Sequence, residues 1–382
     1  MRFLTGGETH GPCLTTIIDG LPSGLTIDKD AINQELARRQ TGYGRGGRMA
    51  IERDCVSVLG GVIAGRTIGA PLVLQIANRD WENWRAIWAS NNLPPITVPR
   101  PGHADWAGMK KCGLDDARPI LERASARETA ARVAVGAVAK LLLRDFGIRI
   151  GSTVCSIGNV AIRPSGLDVD SPDWSDTLDR SERSPVRCAD DEGTQAMIEA
   201  IDQASSEGES LGGTFYIVAT GMPVGLGSHA QWDARLDAQI TQAIVSIPAI
   251  KGIEIGPAFD NTQRKGTSVH DALQLTESGS ITRLTNRAGG IEGGMSNGQP
   301  IIIHAAMKPI PTTISPQQSV NLQTGKPALT EYERSDVCAV PAAAVVGEAM
   351  LAWTLAVAMH DKLGGDSVAE MQTHHNAWSS DE

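Results

Sequence analysis

Two histidines sit in glycine and proline turns far apart in the chain: Gly7-Glu8-Thr9-His10-Gly11-Pro12 and Arg100-Pro101-Gly102-His103-Ala104-Asp105. A turn presents an imidazole to solvent or ligand, and histidine is the side chain whose ordinary pKa lies nearest neutrality. Two such turns suggest two proton-handling positions. Taken singly, each fits a solvated turn residue equally well, so their neighbours must decide. Arg38, Arg39, Arg45, Arg48 and Arg53 crowd one stretch, interleaved with Gly42, Gly44, Gly46 and Gly47. Guanidinium groups pair bidentately with phosphate or carboxylate, so the stretch reads as an oxyanion clamp. The alternative is a solvated face paired with Glu35, Glu52 and Asp54.

Gly42 to Gly47 also spells G-x-G-x-x-G, but it follows a helix and opens none, which rejects a dinucleotide-binding crossover. Arg123-Ala124-Ser125 stands ahead of a helix whose N-terminal amides would attract an anion, while Ser125 also fits a simple cap. Lys308-Pro309-Ile310-Pro311-Thr312 joins a cation to stiff turns, and suits an ordinary loop as well. Asp336, in Arg334-Ser335-Asp336, fits either a cap on the last long helix or a catalytic carboxylate. Asn78 to Trp84 reads as a packed surface loop or subunit contact, and His229, His270, His304 and His360 as structural.

The elements that must position these residues follow from periodicity. Strands are expected at Arg2–Leu4 and Cys13–Ile18, with His10 between them, and near Cys55–Leu59 and Leu72–Ile76. A helix is expected over Asp28–Gln40. The clearest helix is Ser125–Phe146, with Ala130, Val133, Ala134, Ala137, Val138, Leu141 and Leu142 on one face and a Ser125/Glu128 capping box. Another spans Gln231–Ile247. Arg163 to Glu192 reads as a long polar excursion on the surface, and residues 363–382 as a disordered tail with solvated His374 and His375. Strands that cluster without regular crossovers imply an α+β fold, antiparallel sheets flanked by helices in one composite domain over residues 1–362.

Composition sets limits. The chain has 382 residues, 41 of them glycine, and a net charge of -10. That charge disfavours general binding to nucleic acid or anionic membranes, so an anionic ligand must meet a local basic patch. The six cysteines lack C-x-x-C spacing, which argues against zinc or redox pairs and for free thiols in a reducing cytoplasm. Met1 to Thr5 reaches a glycine turn at once and leaves no space for a secretory leader. The apolar run Val337 to Met359 contains Pro341 and Glu348 and reads as a buried helix, not a membrane span.

Together these strings resemble the chorismate synthase family. The carriers are Gly7 to Pro12, Gly44-Arg45-Gly46-Gly47-Arg48-Met49, Asn78 to Trp84, Arg100 to Asp105, Ala126 to Val133, Ala288 to Gly298 and Arg334 to Asp336, in family order up to about Leu355. The resemblance implies a β-α-β sandwich and the loss of phosphate from 5-enolpyruvylshikimate 3-phosphate to give chorismate. It also implies reduced FMN, which is not consumed, because the hydrogen removed lies on a carbon that a simple base could not deprotonate easily.

By residue, the resemblance implies His10 as the acid to departing phosphate, His103 as the group that protonates reduced flavin, and Asp336 as an aid to proton transfer. Arg39, Arg45, Arg48, Arg132 and Arg334 would hold substrate. Arg123, Ala124, Ser125, Pro248, Ala249, Gly293, Lys308, Pro309, Ile310, Pro311, Thr312 and Arg334 would contact FMN, with Arg39 and Arg45 also contacting NADP(H) where it binds. A homotetramer is implied as well. The lack of a nucleotide fingerprint favours a separate flavin reductase as partner. Thr9 and Ala124 stand where many members carry serine. Two other readings use the same residues: a net flavin reductase, which would oxidise NADPH stoichiometrically, and a non-catalytic receptor for a phosphorylated ligand.

Overall fold

The computed structural model describes residues 1–46, 53–90, 93–162, 174–277, 279–332 and 335–379. Arg48 and Arg334 lie outside the described residues, as does most of the start of the expected surface excursion.

Alternating apolar residues build two antiparallel sheets. The first orders Arg2–Gly6, Cys13–Asp19, Leu72–Ala77 and Val56–Gly60, with Leu14, Ile18, Leu72, Leu74 and Ile76 buried on its inner face. The second orders Ile250–Ile255, Ile301–Met307, Gly213–Thr220, Arg149–Ile157 and Val160–Ala161. Helices fill the space between. Thr129–Arg144 packs on the first sheet, Val340–Leu363 packs on the second, and the two helices pack on each other. The result is the expected α+β sandwich, sheet, helices, sheet.

This layering explains two sequence features. The Thr129–Arg144 helix is apolar on more than one face, with Ala131, Val135, Ala139 and Leu143 buried beside the expected stripe, because it has a sheet on one side and a helix on the other. The alanine-rich Val340–Leu363 helix needs small residues for the same reason. A Cβ on Gly136 would lie 2.3 Å from Ala349 Cα, so the helices touch backbone to backbone there. Although this helix is long and apolar enough to cross a membrane, 94% of its most apolar window is buried inside the protein.

Glu348, at the middle of that helix, has no exposed surface. Its carboxylate takes bonds from Arg38 (2.8 Å), Lys140 (2.6 Å), Arg187 (2.9 Å) and Ser152 (2.6 Å), which compensates the charge that burial would otherwise penalise. Burial would raise this carboxyl, but the cations hold it well below its ordinary range.

Several expected elements differ. The helix expected from Ser125 begins as a 3-10 turn, Ala126–Glu128, because the helix Arg118–Ala124 runs directly into it. No capping box forms: Ser125 Oγ accepts from Arg127 N at 3.3 Å, while Glu128 bonds Arg132 at 2.7 Å. The helix expected from Gln231 starts at Leu236. Asn78 to Trp84 is a loop only as far as Asp80, since Trp81–Ala89 is helical. Within the expected surface excursion, helix Ser175–Arg183 packs on the second sheet, and Trp174, Leu178, Val186 and Cys188 are buried. The tail is also ordered in part: Val368–Ser379 is a helix docked by Val368, Met371 and Trp378, apolar positions too sparse to register as a period.

Candidate active site

The His10 turn is clamped from several sides. Gly7 has φ +109°, and a Cβ there would lie 2.3 Å from Cys13 O, so the turn requires glycine. Asn78 Nδ2 donates to Glu8 O (3.1 Å) and Gly11 O (2.8 Å), fastening the turn to the end of the strand Leu72–Ala77. His10 Nδ1 lies 2.9 Å from Glu122 Oε1, and its ring stacks on Trp84 with centroids 4.0 Å apart. Burial would raise the Glu122 carboxyl, but the bonds from His10 and the charge of Arg118 hold it below its ordinary value.

The second turn is tied by Asp105, which is fully buried at the start of the helix Asp105–Cys112. It accepts from Arg100 N (3.0 Å), Arg100 Nε (2.9 Å) and the His103 ring, and Lys308 Nζ donates to Gly102 O at 2.6 Å. Burial opposes ionisation of Asp105, yet the bonds from His103 and Arg100 prevail and keep it well below the usual carboxylate range.

The arginine cluster divides. Arg38 turns away to Glu348, Glu35 and Glu182; it is ion-paired, with Glu35 as the alternative expected, but toward the buried Glu348 and not on a solvated face. Arg39 is buried against Thr129 Oγ1 (3.0 Å), Ala126 O (3.3 Å) and Asp54 (3.4 Å). Burial, with the nearby Arg127 and Arg45 cations, pushes Arg39 down to about 10. Arg45 pairs with Asp336 Oδ2 at 2.9 Å, and Gly46 N donates to Asp336 Oδ1 at 2.7 Å. A Cβ on Gly46 would lie 2.6 Å from Ser335 O; glycine here permits contact between distant segments. Asp336 is therefore no helix cap: the helix starts at Val340 after Ala339.

These parts meet in one cavity of ≈ 420 Å³. His10, His103, Asp336, Arg39, Arg45, Ala124, Ser125, Pro248, Ala249, Lys308, Ile310, Pro311 and Thr312 all line it. Among the described residues its charged lining is Arg39, Arg45, Arg100, Arg127 and Lys308 against Asp336 alone, a surplus of cations suited to an anionic ligand. Ile247, Met307, Ile310, Val346 and the alanines at 339, 342 and 343 supply apolar lining, suited to a flat ring.

Four expected contact residues do not line the cavity. The Arg123 side chain is spent on Thr5 and Gly7 O, and Arg132 on Glu128 and Ser246. Gly293 sits in the hairpin turn between Ile291–Glu292 and Met295–Asn297, and Pro309 is likewise absent from the lining. The structure adds Arg100, Arg127 and Thr129 to the lining, and Glu122, Asp105, Asp54 and Trp84 behind or beside it. The strings around Arg100, Trp84 and Arg127 drew notice in the sequence, but no local signal assigns their pairings.

Residues 1–360 match the family model described as chorismate synthase. The chain belongs to the chorismate synthase family. A chorismate synthase of Desulforamulus reducens is 50% identical over 384 residues, covering 99% of this chain and 98% of the relative. One of Chlorobaculum tepidum is 51% identical over 380 residues, covering 97% and 96%. A solved crystal structure of a chorismate synthase, 41% identical, matches with a TM-score of 0.82 over 99% of this chain and 97% of that one. The fold is thus that of the chorismate synthases, and the protein is an enzyme of the lyase class.

Proposed function

We propose that the cavity eliminates phosphate from 5-enolpyruvylshikimate 3-phosphate to give chorismate, with reduced FMN bound beside the substrate. The observation that carries this reading is the lining itself: among the described residues, five cations, one carboxylate and two carboxylate-held histidines around ≈ 420 Å³. The residues fit a flavin mononucleotide, since apolar and proline-rich segments suit its ring and Lys308 and the arginines its phosphate. When bound, the reduced flavin supplies the electron and hydrogen acceptance that side chains lack.

The side chains do the rest. Arg39, Arg45 and Arg127 neutralise substrate anions, and their mutual repulsion in the free site is relieved when an anion enters. His10 donates a proton to the departing phosphate, so the leaving group goes as a weaker base. His103 holds a proton at the flavin, and Asp336 fixes Arg45 and the glycine loop around the ligands. We assign Arg48 and Arg334 to the same anion site by resemblance. A test compares ligand binding and turnover in H10Q and H103Q. Ligand binding near wild type with turnover reduced on the order of 10²-fold or more supports the reading; proportional loss of binding alone points to a receptor.

The wider setting carries over from the resemblance: a cytoplasmic homotetramer supplied with reduced flavin by a separate reductase that draws on NADPH. Six free thiols, three of them buried, suit a reducing compartment. Leu4, Ile17 and Leu59, 68%, 40% and 58% exposed on strands of the first sheet, offer apolar surface for self-association.

A further inference from the structure

His10 is gripped by groups remote in sequence. Both oxygens of Glu122, 112 residues away, serve this one residue: Oε1 meets ring Nδ1 at 2.9 Å and Oε2 accepts the His10 backbone N–H at 3.0 Å. Trp84 lies against the imidazole face at 4.0 Å with planes 27° apart, so the ring cannot swing away from the carboxylate. Arg118 stands 3.6 Å from the same Glu122 oxygen, and its guanidinium lies 5.6 Å from the Trp84 ring, which keeps the carboxylate ionised and the stack in place.

A carboxylate only accepts, so His10 Nδ1 must carry hydrogen, and Nε2 is left as the nitrogen that can give or take a proton. We infer that Glu122 is the positioning residue of the proposed acid, holding His10 by ring and backbone so that Nε2 alone exchanges protons with the ligand. This rests on the role proposed for His10. Glu122 itself need not touch the ligand: it is absent from the cavity lining, whereas His10 is part of it.

Glu122→Gln keeps the shape but offers one accepting oxygen to two donors and turns an amide NH2 toward the other. The expected result is a fall in kcat of about 10- to 100-fold, short of the full worth of an acid, with KM within about two-fold. The double variant H10Q/E122Q should be no slower than H10Q, since Glu122 acts through His10. In protein labelled with ¹⁵N-histidine, His10 should keep hydrogen on Nδ1 in the wild type and lose that preference in E122Q. Wild-type kcat in E122Q, or losses in the double variant that multiply as independent effects, would overturn the inference. If H10Q itself keeps full turnover, the acid role of His10 fails and the inference falls with it. If H10Q is slow and E122Q is not, only the positioning role fails.

Discussion

Asp336 Oδ2 lies 2.9 Å from Arg45 Nη1, joining the glycine-rich loop near the start of the chain to the segment that leads into the last long helix. The pairing directs a cation into the cavity without leaving it isolated. Asp336→Ala should free Arg45 and raise KM for the anionic substrate by about 10-fold or more, with kcat also reduced, in steady-state assays. Arg45→Lys keeps the charge but loses the planar fork, and should raise KM by a smaller factor.

Arg39, pushed down to about 10 by burial and by the Arg127 and Arg45 cations, costs the empty protein stability. The sign follows from linkage: a base whose folded pKa lies below its unfolded value is less well tolerated in the folded state at neutral pH. A bound anion reverses that cost. Inorganic phosphate or FMN should therefore raise Tm of the wild type, by an amount worth about 2.7 kcal/mol at a hundredfold excess over Kd, and should raise Tm of Arg39→Gln far less. Thermal melts with and without ligand measure both.

Glu348, Asp105 and Glu122 all lie below their ordinary carboxyl range. Carboxyls with depressed folded pKa values contribute stability that is present above about pH 4 and is lost as pH falls through their folded values. Denaturant melts should thus show stability declining from about pH 5 downward. Glu348→Gln should lose on the order of 3–5 kcal/mol at pH 7, because Arg38, Lys140 and Arg187 would keep their charges in the interior, and its remaining pH dependence should be shallower.

Gly136→Ala should destabilise despite its better helix propensity, since the new methyl would meet the Ala349 backbone. Overpacking of this kind costs typically about 1–3 kcal/mol, readable from the denaturation midpoint.

How much of this was legible in the sequence differs by element. The strand Cys13–Asp19 followed from local alternation, with Leu14, Thr16 and Ile18 turned inward, and the expected face of the Thr129–Arg144 helix from its period. The two turn histidines were conspicuous because glycine and proline punctuate their surroundings. Their carboxylates were not equally visible. Asp105 lies two residues from His103, but Glu122 reaches His10 only through the fold, and the neighbouring Arg123-Ala124-Ser125 carries no sign of that pairing. The arginine cluster looked uniform in sequence, whereas the fold sends Arg38 to the core and Arg39 to the cavity, although they are adjacent. Helix geometry turns neighbouring side chains about 100° apart, so a run of like residues divides between faces. The tail helix was missed because Val368, Met371 and Trp378 gain burial only after docking.

The central claim is that this cavity performs a redox-neutral elimination. Its most direct test mixes the purified protein with 5-enolpyruvylshikimate 3-phosphate and reduced FMN without oxygen, following chorismate, phosphate and flavin absorbance together. Chorismate and phosphate should appear in equal amounts while the flavin ends reduced. Well-folded protein that forms no chorismate, or forms product only with matching flavin oxidation, would contradict the account.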